Sequence, residues 1–311
     1  MTEDRIVVGI DGSPVAREAL RWASRLVAQL GGELVVVHAL GLLEPLHGDL
    51  LPGHRHQAEI EDVMAREWCA TLSRSDVAHR TTVREGHPVD VLTQVVLEED
   101  ARLLIVGSRG IGDTPALVLG STSLQLLRQA PGPVLVVPDR EQAVHHLALR
   151  RIVVALDGSP EGMAAVDVAT WLGQGFGSHI ELVRAVEELP VFPLGPSART
   201  TSEGEWEAPQ RARRQAEPFC AAVRRRHLPV HLVVQRGAAD EVVRSVAARL
   251  DTDLVVMASR RTGDPTDALL DSVSRRIVRV AHRPTLVVPI PSPAPGDRRP
   301  TDVPSHATAT S

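Results

Sequence analysis

Arg102-Leu103-Leu104-Ile105-Val106-Gly107-Ser108-Arg109-Gly110, followed after nine residues by Gly120-Ser121-Thr122-Ser123, is the stretch on which the reading of this chain turns. Leu103 to Val106 predict a buried strand ending at the first glycine, and Ser121 to Ala130 predict a helix that starts after the last one. The glycines therefore fall at a strand end and a helix start. A helix N-terminus carries N–H groups without intrahelical partners and a partial positive charge, and glycine lets backbone approach an anion with no Cβ in the way. The spacing predicts a loop that holds a polyphosphate. The plainer alternative is a glycine-rich turn that only reverses the chain, which gives no reason for three placed glycines before a helix-capping serine.

Outward from this loop the chain repeats itself. Arg5-Ile6-Val7-Val8-Gly9-Ile10-Asp11-Gly12-Ser13-Pro14 recurs as Arg151-Ile152-Val153-Val154-Ala155-Leu156-Asp157-Gly158-Ser159-Pro160, an offset of 146 residues. Gly86 then answers to Gly237, Cys69 to Cys220, and Pro133–Pro138 to Pro284–Pro289, now at an offset of 151. The chain is a tandem duplication, with five residues gained between Ser159 and Cys220. Glu187 to Gln210, rich in Pro, Gly, Ser and Glu, answers to Gly41 to His56, and both predict surface loops. Residues 1–140 and 150–290 are the expected domains, with the boundary in Asp139 to Leu149, and Pro291 to Ser311 is expected to be disordered.

Within the first copy, short apolar runs alternate with helical patterns: strands Ile6–Ile10, Glu33–Ala39, Arg80–Arg84, Arg102–Gly107 and Val134–Val137, and helices Val15–Leu30, Ala58–Leu72, Val89–Leu97 and Ser121–Ala130. Such alternation means a parallel sheet with helices on both faces. The expected fold is α/β: two tandem, doubly wound, Rossmann-like parallel sheets of five strands in the order 3-2-1-4-5. Ligands of such sheets bind where the winding reverses, beyond strands one and four, which end at Asp11 and Gly107. The last strands, Val134–Val137 and Leu286–Val288, would invite aggregation as bare edges. Pairing them predicts a pseudo-twofold packing of the two copies within one chain, with homo-oligomers left open.

The 311 residues carry a formal net charge of -5, with all 34 basic residues arginine. No lysine means no P-loop GxxxxGK[ST], no kinase strand lysine and no Schiff base. Without a basic face, nucleic acid is not the expected partner, and the runs Arg211–Arg214 and Arg224–Arg226 read as solvated helix faces. The two cysteines occupy equivalent positions and read as small core residues in a reducing, cytoplasmic setting. No charged-and-apolar leader precedes Ile6 and no apolar run is long enough to span a bilayer, so neither secretion nor a membrane is expected.

The Asp after strand one, Val37-His38-Ala39, the turn Glu85-Gly86-His87-Pro88 and G-x-x-G-x9-G-[ST] together resemble the universal stress proteins, of the tandem kind, over residues 5–138 and 151–290. In the nucleotide-binding branch of that family ATP lies across the switch point and last strands pair domains. Carried over by this resemblance, Gly107, Gly110, Gly120, Ser121 and Thr122 would cradle phosphates and ribose, Asp11 would accept from adenosine and Ala39 would meet the adenine edge. Asp11 as a plain helix cap, and Arg109 as a solvent-facing loop residue instead of a phosphate contact, are the alternatives. Ser123 is a candidate contact or phosphorylation site. ATP, with or without Mg²⁺ or Mn²⁺, is the expected cofactor.

In the second copy the aligned residues are Ala258-Ser259-Arg260-Arg261 … Asp271-Ser272, and an Asp at the helix start would take the place of a phosphate. That copy is expected to be a non-binding partner. The expected function is a stress-responsive regulatory protein. The alternatives are a slow ATPase or autophosphorylating enzyme, for which only Asp11 and Asp113 stand near the loop, and an interaction module without ligand. His54, His56, His145 and His146 lack companion ligands and read as exposed.

Overall fold

The computed structural model describes residues 4–41, 43–46, 49–52, 56–72, 75–110, 119–139, 149–186, 202–260 and 283–290. Its first copy runs β1 (Arg5–Gly9), α1 (Pro14–Leu30), β2 (Glu33–Leu40), β3 (Leu43–Leu46), β4 (Asp49–Pro52), α2 (Gln57–Val63), β5 (His79–Glu85), α3 (Pro88–Glu98), β6 (Leu103–Gly107), α4 (Ser121–Gln129) and β7 (Val134–Val137). The second copy follows as β8 (Arg151–Leu156), α5 (Met163–Phe176), β9 (His179–Val186), α6 (Ser202–Arg225), β10 (Val230–Arg236), α7 (Ala239–Arg249), β11 (Leu254–Arg260) and β12 (Thr285–Ile290).

Local chemistry sets the boundaries. Ser13 caps α1, its Oγ accepting the Ala16 N–H at 3.1 Å, Pro14 opens the helix, and Gly31 at φ +80 ends it. The strands of each copy pair in the parallel order third, second, first, fourth, fifth, which is β5-β2-β1-β6-β7 and β10-β9-β8-β11-β12. The two sheets join. β7 and β12 pair antiparallel, Val136 opposite Thr285, Leu135 opposite Leu286 and Val134 opposite Val287, so ten strands form one sheet.

Leu135 and Leu286 are counterparts in the duplication, so the pseudo-twofold axis passes between them. The same holds for Gln29 and Gly175, where Gln29 Nε2 donates to the Gly175 carbonyl at 2.7 Å. Two cores run through both copies, one on each face. Helices α1, α5 and α6, with the π-turn Met64–Trp68, cover one, and α3, α4 and α7 cover the other, because alternate strand residues such as Val7 and Val8 point to opposite faces; Ile60 and Val63 of α2 instead pack in a small separate cluster with Leu40. Across the seam, Arg102 lies over the Trp171 ring, 4.1 Å from its centroid, and donates to Asp4 at 2.6 Å, while Trp171 Nε1 donates to the same Asp4 carboxylate at 3.2 Å.

Three local expectations need correction. Gly41 to His56, expected as a surface loop, contains an antiparallel hairpin of β3 and β4. Glu187 to Gln210, expected as loop throughout, ends in helix: α6 already starts at Ser202 and continues through Pro209 and Pro218. The helix expected over Ala58–Leu72 is α-helical only to Val63 and becomes a π-helix over Met64–Trp68. Cys69 and Cys220 are buried free thiols; burial pushes the Cys69 thiol up to about 11 and raises that of Cys220. The Pro291–Ser311 expectation lies outside the described residues.

Candidate functional site

Val8 pairs with Ile105, which sets the ends of β1 and β6 side by side and makes the residues after them neighbours. Asp11 Oδ1 accepts the Ser13 N–H at 3.0 Å and shapes the turn into α1. Between them Gly12 sits at φ +81, and a Cβ there would lie 2.6 Å from the Trp68 indole. Only glycine fits. On the facing loop, a Cβ on Gly110 would lie 2.5 Å from Asp11 Oδ2, so this backbone rests directly against the carboxylate.

The other glycines have different work. Gly107 is buried, and a Cβ on it would meet Val15 Cγ1 at 2.9 Å, so its first role is to let α1 settle on the strand end. Gly120 donates its N–H to the Ser108 carbonyl at 2.6 Å, closing the neck of the loop, and forms the N-cap of α4. With glycine at the cap and no acidic residue in the first turn, no carboxylate of that turn covers the amides at Ser121 and Thr122. Ser123 is turned inward: it is buried and its Oγ donates to the Gly107 carbonyl at 2.6 Å. That bond ties α4 to β6 and commits the Ser123 hydroxyl proton to the strand. Arg109 forms an ion pair with Asp139, just past β7.

Ala39 lies near the end of β2. The Val37 carbonyl accepts the Ile10 N–H at 2.9 Å, and because main-chain groups alternate along a strand, those of Ala39 face the same side beyond the end of β1. Two aromatic side chains lie beneath these turns: His38, which the sequence offers only as part of the β2 ending, and Trp68, which sequence reasoning missed. His38 is 3% exposed, its Nδ1 donates to the Ile10 carbonyl at 2.8 Å, and its ring meets Trp68 edge-on at 5.1 Å. A carbonyl can only accept, so the proton sits on Nδ1. The π-turn that ends at Trp68 is the device that turns this indole under Gly12.

Among the described residues no three His, Cys, Asp or Glu side chains cluster as metal ligands. His56 pairs with Glu59 at 2.8 Å, and His54, His145, His146, Gly112, Asp113, Asp271 and Ser272 lie outside the described residues. Among those residues, too, no helix is long and apolar enough to cross a membrane.

The universal stress protein family model matches residues 3–138 and again residues 148–289. The chain belongs to the universal stress protein family. It is 28% identical over 299 residues to a universal stress protein of Mycolicibacterium smegmatis, covering 92% of this chain and 97% of the relative. A Mycobacterium tuberculosis universal stress protein is 27% identical over 307 residues, covering 91% and 95%. Among solved structures, a universal stress protein from Archaeoglobus fulgidus matches with a TM-score of 0.68 at 18% identity, over 93% of this chain and 99% of that one. A second, from Pseudomonas aeruginosa, matches at 0.65 and 17% identity, over 92% and 93%. These two likenesses show the shared fold.

Within this tandem universal stress protein the second crevice is built differently. Asp157 again shapes its turn, accepting from Ser159 N at 2.8 Å and Ser159 Oγ at 2.6 Å. Here, however, Arg260 reaches across from the end of β11 and pairs with Asp157 Oδ2 at 3.2 Å. Arg184 stands in place of His38, donating to the Leu156 carbonyl at 3.4 Å, and its guanidinium lies 3.0 Å from where a Cβ of Gly158 would be. Two guanidinium groups thus line the second crevice, where the first has an imidazole beside an indole.

Proposed function

We propose that this universal stress protein is a regulatory protein whose first half binds ATP, or another adenine nucleotide, and whose second half serves as a pseudo-symmetric partner without a nucleotide. The observation that carries the reading is the contrast between the crevices. In the first, Gly110 backbone abuts Asp11 and α4 begins without a covering side chain at its cap; in the second, Arg260 already occupies the space opposite Asp157.

The residues of the first crevice fit an adenine nucleotide. A Cβ on Gly110 would fill the cradle beside Asp11, and the N-terminal amides of α4 suit phosphate oxygens. Asp11 would take a ribose hydroxyl, Ala39 main chain the adenine edge, and the amides of Gly110, Ser121 and Thr122 the phosphates. Gly107 and Gly120 support the loop that carries them. Mg²⁺ or Mn²⁺ would accompany the phosphates. Turnover is expected to be slow or absent, so binding is read out as added stability, which grows with the logarithm of ligand concentration over Kd.

Isothermal calorimetry on the full chain tests this. The expected stoichiometry is one ATP per chain, with a rise in melting temperature at saturation. Two equivalent sites, or no binding with or without Mg²⁺, would overturn it.

A further inference from the structure

Each copy carries an arginine shortly after its fourth strand's glycine or alanine, and the ladders fix the equivalence: Gly107 pairs with Val137 as Ala258 pairs with Val288. Arg109 and Arg260 are therefore the same position. Each guanidinium has two places where the fold can offer an acid: two residues after that valine, and immediately after the first strand. The first copy has an acid at both, Asp139 and Asp11, and Arg109 is paired with Asp139. In the second copy the former place holds Ile290, buried and in register with Arg260, and Arg260 is on Asp157 at 3.2 Å.

We propose that Asp139 is a positioning residue for nucleotide binding: it holds Arg109 on the β7 side and so keeps the first crevice from closing in the way the second is closed by Arg260 and Asp157. The inference rests on the reading of the first crevice as an ATP site. A guanidinium stays charged at any working pH and pairs with whichever carboxylate is in reach. Were Asp139 absent, Asp11 would be the acid at the next place, and the arginine would lie over the carboxylate assigned to the nucleoside. Plain charge argues the opposite way. Asp139 is an anion near a polyanionic ligand, so its removal, if it did nothing else, would tighten ATP binding.

That opposition makes the experiment decisive. In the full chain, Asp139→Ile, Asp139→Glu and the double variant Asp139→Ile/Arg109→Ala are compared with the parent by ATP calorimetry. The titration of the Asp11 carboxyl is followed alongside by NMR without nucleotide. Asp139→Ile is expected to keep its circular dichroism and bind ATP about fivefold more weakly, the size of effect an exposed ion pair carries. Its Asp11 should titrate lower as the guanidinium arrives. Asp139→Glu should match the parent within about twofold, and the double variant should recover both affinity and Asp11 titration, since without the arginine there is no ion pair to displace. Unchanged or tighter binding in Asp139→Ile with Asp11 unmoved would overturn the proposal, as would a double variant as weak as the single one. Should the parent itself ignore ATP, the nucleotide reading falls, and the Asp11 titration still decides whether Arg109 changes partner.

Discussion

Leu135 and Leu286 face each other across the β7–β12 join, and both are 0% exposed. Truncating either to alanine removes transfer free energy and leaves a cavity, at a cost of about 2–5 kcal/mol each. Directly opposed residues on one sheet face have Cβ atoms roughly 4.5–5.5 Å apart, within contact of each other's side chains. The second truncation therefore enlarges a cavity already made by the first, and the two costs should not add. A double-mutant cycle from urea unfolding of the full chain, followed by circular dichroism, measures the difference, expected at about 0.5–3 kcal/mol. Residues without shared partners add to within about 0.5 kcal/mol. Additivity inside that margin, or two separate unfolding transitions in the parent, would refute a sheet continuous through both copies.

Gly120→Asp should abolish ATP binding while leaving the fold intact, because Gly120 sits at φ -73, which any residue adopts, and Asp is a good N-cap; retained affinity would sink the phosphate assignment at α4. Trp171→Leu should lower stability by about 1 kcal/mol through loss of the Arg102 stacking, and much of that loss should persist in high salt because the packing goes with the charge; an unchanged urea midpoint would count against a seam held at that point. Stability should fall as pH rises from the ordinary thiol range toward 11: the Cys69 pKa is raised in the fold to about 11, so its contribution is complete below the unfolded-state value and is lost as pH climbs through the folded one. A Cys69→Ala variant whose alkaline stability curve has the same slope as the parent would contradict this.

Strands were legible in the sequence because buried parallel strands are unbroken apolar runs, and the edge argument for Val134–Val137 and Leu286–Val288 led correctly to their pairing. Periodicity reports which face a residue takes, not what it meets. Hence the sequence does not announce that the missing Cβ of Gly107 makes room for Val15, or that the Ser123 hydroxyl donates to a strand carbonyl. Trp68 under Gly12 and Arg260 on Asp157 depend on partners 56 and 103 residues away, which no local pattern announces. The prolines that made Glu187 to Gln210 read as loop hid a Ser202-x-x-Glu205 helix-start pattern.

Where two identical chains meet on a twofold axis, whatever stands on that axis must tolerate its own image. Fusion lifts that rule. At the crossing of α1 and α5 a long amide, Gln29, reaches a carbonyl on Gly175, and a Cβ on that glycine would come within 2.3 Å of Leu30. With both copies encoded in a single gene, knob and socket can be divided between them, the long side chain on one and the missing Cβ on the other.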